Sequence, residues 1–231
     1  MRGAGCTIND ILDRDIDARV DRTKSRPLPS GKITVWQAVA FLAFQALPAV
    51  MILAELPRLT IWLGMASLPL IAIYPLMKRF TWWPQLVLGM IFNWGVLMGW
   101  AAATGSLSPA AYALYLGAVM WTMVYDTIYA HQDKEDDRLA GVKSTALLFG
   151  KWSRPILFGF AALSLGLLAA AGAIAGLGWG FYAGLGGAAI FLLRHLRAWK
   201  IDDPADCLKR FRSSRDFGLL VLAAIMLGKF F

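Results

Sequence analysis

Asn9–Asp17 reads NDILDRDID, and Asp126–Asp137 reads DTIYAHQDKEDD. These two stretches hold nine of the chain's fifteen acidic residues, and Asp21 adds a tenth. The rest of the chain is greasy. In a helix, Asp10, Asp13 and Asp17 fall at i, i+3 and i+7, which puts three carboxylates on one face with Asn9 beside them. Asp126, Asp133 and Asp137 fall at i, i+7 and i+11, again on one face. Each stretch therefore predicts a helix that projects a column of carboxylates.

The surroundings of the two columns set the fold class. Of 231 residues, 58% are hydrophobic and 16% charged, with ten Trp and thirteen Phe. A soluble domain carries about 25% charged residues. Long apolar runs without strand alternation predict an all-α, polytopic transmembrane helical bundle, because in lipid a helix satisfies its own backbone. Seven segments are long enough to cross: Thr34–Leu56, Leu59–Met77, Pro84–Thr104, Pro109–Gln132, Pro155–Leu177, Trp179–Leu196 and Asp216–Phe231. Thr34 with Gln37 predicts a capping box. Ser108 before Pro109 predicts an N-cap with proline at the first helical position. The run KSRPLPSG, residues 24–31, stops any helix.

The net charge of +8 does not mark a nucleic-acid partner. Twenty of the 23 Lys and Arg residues fall in alternate connections: before the first segment, after the second, after the fourth and after the sixth. That is a positive-inside pattern with anionic headgroups as partners, and it predicts that those connections share the cytoplasmic face or its equivalent. Four segments separate the two acidic stretches, so both are expected at that face. Cys6 and Cys207 have no C-x-x-C spacing and predict neither a disulfide framework nor a thiolate metal site. DDPADCLKRF, residues 202–211, reads as a connector, with a short interfacial helix begun at Asp203 as the alternative.

Two facing columns of carboxylate would repel, so a cation is expected between them. Hard oxygen donors suit Mg²⁺, which keeps several waters and is usually completed by substrate phosphates. Arg22, Lys24, Arg26, Lys78, Arg79 and Lys143 are expected at the same surface, where such groups bind phosphate oxygens and stabilise a departing diphosphate. Tyr74 and Lys78, at i and i+4, point the same way. The plain alternative is solvated charge at helix ends, and Asp15, Asp21, Glu135 and Asp136 are assigned to it. His131 is read as solvated or tuning its neighbours rather than as a ligand. A cation transporter with intramembrane aspartates is a rival of another class.

These residues carry a family pattern. NDILDRDID fits N-D-x-x-D-x-x-x-D. Residues 125–150, YDTIYAHQDKEDDRLAGVKSTALLFG, fit a second aspartate motif followed by G-x-K-S-T, and YPLMKRFTWWPQ, residues 74–85, fits Y-x-x-x-K. The chain resembles the UbiA superfamily of intramembrane prenyltransferases over nearly its whole length, most closely the branch that prenylates 4-hydroxybenzoate. The resemblance implies one transmembrane domain over 1–231, of a nine-helix type lacking here the first helix and most of the second, on the order of 50–60 residues upstream. A truncated remnant without activity is therefore a third reading.

It implies an inner membrane, bacterial or mitochondrial, and a reaction of polyprenyl diphosphate with 4-hydroxybenzoate. It assigns Mg²⁺ and diphosphate binding to Asn9, Asp10, Asp13, Asp17, Asp133 and Asp137, and diphosphate contacts to Lys78 and Tyr74. Arg79 is assigned to the diphosphate or to the acceptor's carboxylate. Asp13, Asp133, Lys78 and Arg79 are the expected catalytic set, with Lys143 on the substrate. Asp126 and Tyr129 match the motif without a fixed role. Haem O, menaquinone and tocopherol types of acceptor remain alternatives.

Overall fold

The computed structural model describes residues 2–18, 23–139 and 141–231. All regular structure among them is helical. Residues 1–75 and 76–231 form two compact units.

The first unit holds α1 (Arg2–Leu12), α2 (Arg14–Asp17), α3 (Val35–Ala54) and most of α4 (Arg58–Phe80). Thr34 caps α3 through the expected capping box with Gln37. Of the residues in α3 only Ala38 is buried, while Trp36, Phe44 and Met51 lie exposed along it. Such a surface is stable only against lipid or another apolar face. Helix α1 packs on α3 at Gly3, where an added Cβ would lie 2.5 Å from Gln45 Oε1. The Pro-rich stop is itself ordered. Main-chain bonds from Ser30 to Arg26 and from Ile33 to Pro27 fold it back, and Gly31 takes the left-handed conformation (φ 75°).

The second unit continues with α5 (Pro84–Phe92), α6 (Trp94–Thr104), α7 (Pro109–Gln132), α8 (Lys134–Leu139) and α9 (Thr145–Phe149). A 3₁₀ turn at Gly150–Trp152 leads to α10 (Ser153–Ile174), α11 (Trp179–Arg197) and α12 (Pro204–Phe230). Helix α7 is the central element and packs on α5, α10 and α12. Its Val124 and Ile128 meet Leu157 and Ala161 of α10, Leu192 of α11 and Phe217 of α12 in one apolar core. Polar side chains tie helices across this interior. Ser164 donates to the Gly117 carbonyl at 2.8 Å, and Asn93 donates to Thr122 Oγ1 at 2.8 Å. Buried side-chain bonds of this kind act as interhelical glue where no water competes.

Four segments are long and apolar enough to cross a membrane: Val35–Ala54, Arg58–Phe80, Pro84–Thr104 and Thr145–Ile174. The other three expected spans are helices of 24, 19 and 27 residues, namely α7, α11 and α12, but more polar. Within the expected span 84–104 the chain turns at Asn93, where α5 gives way to α6; the Gly89 carbonyl accepts both the Asn93 side-chain amide at 2.8 Å and the Asn93 main-chain N–H at 3.1 Å. One expectation needs correction. The stretch 202–211 is neither a connector nor a separate interfacial helix. Asp203 caps α12 by accepting from Ala205 N and Asp206 N, Pro204 fills the first position, and the helix runs unbroken to Phe230.

Helices α11 and α12 approach through small residues. A Cβ on Gly184 would lie 2.7 Å from Ala224 Cβ and 2.8 Å from Ala224 Cα, and one on Gly180 would meet the Leu227 carbonyl at 2.9 Å. The turn between the two helices is locked by Arg210. Its Nη1 donates to the His195 carbonyl and its Nη2 to the Ala198 carbonyl, each at 2.6 Å, while Nε donates to Asp206 Oδ2 at 2.6 Å. Asp206 also accepts from Lys200 N at 2.8 Å. Burial raises the Asp206 carboxyl, but the Arg210 and Lys200 hydrogen bonds and charges outweigh it and hold the group below its ordinary value of 3.8.

Three expectations follow. Gly184→Leu should lower stability in detergent by about 1–3 kcal/mol through overpacking, read as a lower thermal midpoint. Gly187→Ala, with nothing within 4 Å of its Cβ, should be neutral or slightly stabilising. Because the folded Asp206 is depressed, its contribution is complete above the ordinary carboxylate range and is lost as pH falls below it. Asp206→Asn should therefore lower the midpoint at neutral pH and flatten the acid limb of a midpoint-against-pH curve.

Candidate functional site

The acidic columns form as helices, with a break in each. In the first unit α1 ends at Leu12 and α2 begins at Arg14, leaving Asp13 at the junction. The helical bonds continue across it, from Asp13 N to the Asn9 carbonyl and from Asp17 N to the Asp13 carbonyl, both at 2.8 Å. In the second unit Asp133 caps the end of α7 and Asp137 N bonds back to its carbonyl at 2.8 Å. Each column thus carries its middle aspartate at a helix junction rather than within one continuous helix.

Asp13 is 2% exposed. Asp10 and Asp17 are bridged by Arg26: Nη1 donates to Asp10 Oδ1 at 3.1 Å and to Asp17 Oδ2 at 2.8 Å. A single guanidinium nitrogen therefore sits between two carboxylates seven residues apart. Burial raises the Asp10 carboxyl above its ordinary value; Arg26 pulls it back, and the Asp17 and Asp13 charges push it up again. Arg26, expected to bind phosphate, is here committed to the aspartates. Thr23 Oγ1 donates to the Asp17 carbonyl at 2.9 Å and ties the returning chain to α2. Asp15 is exposed beside Arg14. Lys24 is exposed too, while Asn9 and Tyr74 are half-buried. Arg22 and Asp21 lie outside the described residues.

In the second unit, short main-chain bonds connect three of the expected residues. Val142 N donates to the Asp137 carbonyl at 2.9 Å, and Lys143 N donates to the Lys78 carbonyl at 3.0 Å. The turn after α8 is thus clipped to the first helical column residue behind it and to the end of α4. Lys143 Nζ reaches the Phe80 carbonyl at 3.4 Å and lies over the Trp82 ring, 5.8 Å from its centroid. Lys78 is half-buried and Arg79 exposed. Asp126 is partly buried on α7. Tyr129 stacks near Phe211 of α12, with ring centroids 4.4 Å apart. Glu135 is exposed and pairs with Arg138.

His131 is not solvated. It is buried, its ring edge-on to Trp199 at 5.0 Å, and Nε2 lies 2.9 Å from Ser153 Oγ. Ser153 Oγ also lies 2.8 Å from the Gly150 carbonyl, so the imidazole, the hydroxyl and the carbonyl form one buried chain. Burial leaves His131 as a packing residue. Trp83, Trp94 and Trp121 likewise pack on Phe149, Tyr115 and Phe217.

The family follows from the chain's likeness to known proteins. The model of the UbiA prenyltransferase family matches residues 1–222. The chain belongs to the UbiA prenyltransferase family. A relative from Arabidopsis thaliana called "4-hydroxybenzoate polyprenyltransferase, mitochondrial" is 50% identical over 232 residues, covering 100% of this chain and 57% of its own length. The chain spans between 52% and 62% of the length of such curated relatives. Among solved structures, a UbiA homolog from Aeropyrum pernix K1 superposes with a TM-score of 0.77 at 26% identity, covering 99% of this chain and 84% of that one. A UbiA homolog from Archaeoglobus fulgidus, solved bound to GPP and Mg²⁺, shares the fold at TM-score 0.66 and 18% identity, covering 96% and 83%.

Among the described residues, no three His, Cys, Asp or Glu side chains converge on one ion position. Mg²⁺ needs fewer, since it is commonly held by one or two carboxylates with water and substrate phosphate. Asp10 and Asp17 already share one cationic nitrogen, so this UbiA-family chain has a donor pair of the right chemistry. Sequence reasoning missed the Arg26 bridge and the buried polar residues Gln85, Thr127 and Thr145 behind Lys143. The signal for the latter was a set of lone polar side chains inside apolar helices.

Arg26→Gln should lower the thermal midpoint in metal-free detergent by the equivalent of about 1 kcal/mol. Mg²⁺ should then raise the midpoint of the variant more than that of the unsubstituted protein, because a cation bound to the folded state stabilises it. Equal metal shifts in both would show that Arg26 and the ion do not share these carboxylates.

Proposed function

We propose that this chain transfers a polyprenyl group from polyprenyl diphosphate to the ring of 4-hydroxybenzoate, in the inner mitochondrial or bacterial membrane, in ubiquinone biosynthesis. The observation that carries the reading is the main-chain link Asp137–Val142–Lys143–Lys78, which ties together the backbones of one residue expected to bind metal and two expected to bind diphosphate. The names of the relatives support the acceptor, and the Archaeoglobus homolog's bound GPP and Mg²⁺ support the donor class and the metal.

In this reading Asp10, Asp13 and Asp17, with Asn9 beside them, would bind Mg²⁺ in the first unit, and Asp133 and Asp137 would bind Mg²⁺ in the second. When bound, Mg²⁺ supplies Lewis-acid neutralisation of the diphosphate. Lys78 and Lys143 bind diphosphate oxygens and stabilise the charge that grows on them as the allylic C–O bond breaks. Tyr74 adds a hydroxyl. Arg79 takes the acceptor's carboxylate or a diphosphate oxygen. Asp126 and Tyr129 line the substrate side of α7.

The ring carbon ortho to the hydroxyl forms the new C–C bond. Its proton is lost, and diphosphate leaves with the electron pair. The apolar helices keep water from the allylic carbon and accept the isoprenoid tail.

The test is a membrane assay with Mg²⁺, 4-hydroxybenzoate and a polyprenyl diphosphate, on the 231-residue chain and on one extended upstream to the length of its relatives. Asp13→Ala and Asp133→Ala are each expected to reduce turnover by at least about 10²-fold. Unchanged turnover in either would remove that aspartate from the mechanism. Prenylation of a different aromatic acceptor in competition would reassign the substrate within the family.

A further inference from the structure

The G-V-K-S-T run at 141–145 contains more than its lysine. Thr145 is fully buried, and its Oγ1 lies 2.7 Å from Oγ1 of Thr127, also fully buried, on α7. The Thr145 amide is the first N–H of α9, a donor that the helix itself leaves without a partner. It donates at 3.0 Å to Oε1 of Gln85, a buried side chain on α5. Ser144, between Lys143 and Thr145, caps α9 by accepting from Leu147 N at 3.4 Å. Helix α5 in turn sits hard against α7, since a Cβ on Gly89 would meet Val119 and Thr122 at 3.2–3.3 Å.

Lys143 is therefore held from both sides. On one side its own N–H and that of Val142 bond to Lys78 and Asp137. On the other side Thr145, two residues on, is anchored to α7 through Thr127 and to α5 through Gln85 in a dry interior, where hydrogen bonds are poorly exchangeable with water. Nothing in α9 itself explains this anchoring: a five-residue helix with a serine cap needs no buried threonine pair.

We propose that Thr127 and Gln85 are positioning residues that fix Lys143 for the donor's diphosphate. They do so through the buried Thr127–Thr145 hydroxyl pair and the Gln85–Thr145 amide bond. This rests on the reading of Lys143 as a diphosphate ligand. The hydroxyl pair makes no contact with the chemistry. It sets where an ammonium on a flexible four-carbon stem can reach, and its loss loosens the donor while leaving the acceptor's site intact.

The experiment compares Thr127→Val, Thr127→Ser, Lys143→Ala and the double variant T127V/K143A in the full-length membrane enzyme. The readouts are KM for polyprenyl diphosphate, Ki for inorganic pyrophosphate, KM for the aromatic acceptor, kcat and the thermal midpoint. Thr127→Val is expected to raise the donor KM and the pyrophosphate Ki by about 10-fold, a typical effect of one lost positioning bond. The acceptor KM should stay within about 2-fold, and Thr127→Ser should restore the donor KM. The double variant should be no worse than Lys143→Ala, because the threonine acts through the lysine.

A lower midpoint with unchanged donor KM and pyrophosphate Ki, or an effect that adds fully to Lys143→Ala, would overturn the positioning role. If Thr127→Val does not fold, Gln85→Met removes the other anchor at similar side-chain length and is read the same way. Should Lys143→Ala itself leave donor KM and pyrophosphate Ki unchanged, the diphosphate reading of the site fails first.

Discussion

Hydrocarbon offers no hydrogen bonds, so each polar group carried on these helices must find its partner within the chain. That constraint organises the interior around α7. It sends Asn93 to Thr122, Ser164 to the Gly117 carbonyl, and Thr145 to Thr127 and Gln85. Most of these bonds cross between helices, so satisfying the polar groups and fixing the helix positions are one event. The interior around α7 is accordingly both apolar and specific: the aliphatic core supplies close packing, and a few hydroxyls and amides choose one arrangement among many that would pack as well.

The same constraint explains why charge gathers at helix junctions. A carboxylate in the middle of a span has few ways to be satisfied, whereas at a junction the chain can bend a cation or an amide toward it. Asp13 and Asp133 both sit at such breaks, each with helical bonds still running past it. The geometry keeps the spacing of a helix through each junction.

Much of this was legible from the residues. Composition and run length were enough to mark the helices, because a helix in lipid must be long and apolar and leaves little freedom in where it starts. Thr34 with Gln37 and Ser108 with Pro109 were readable because caps are local chemistry. The turn at Asn93 was not, since the apolar pattern runs through it and the side chain's choice of the Gly89 carbonyl depends on what packs beside it. The unbroken start of α12 was hidden by its charges, which read as a loop although Arg210 and Asp206 are both spent inside the fold. The Arg26 bridge joins residues sixteen and nine apart through a turn, and no periodicity encodes that path. Buried threonines are the hardest to read, because a threonine facing lipid and one facing another threonine look alike in sequence.

Helix α12 has 27 residues and so measures about 40 Å, some 10 Å more than the hydrocarbon layer of a bilayer. Its first turns bear the exposed Lys209, Arg212 and Arg215, a collar that favours headgroups over acyl chains. Such a helix answers a thinner or thicker bilayer by leaning rather than by sliding, since its charged collar anchors one end at the water boundary. Phe211 and Phe217 lie against Tyr129 and Trp121 of α7, so the charged end of α12 and the face of α7 that carries Tyr129 are packed as one piece.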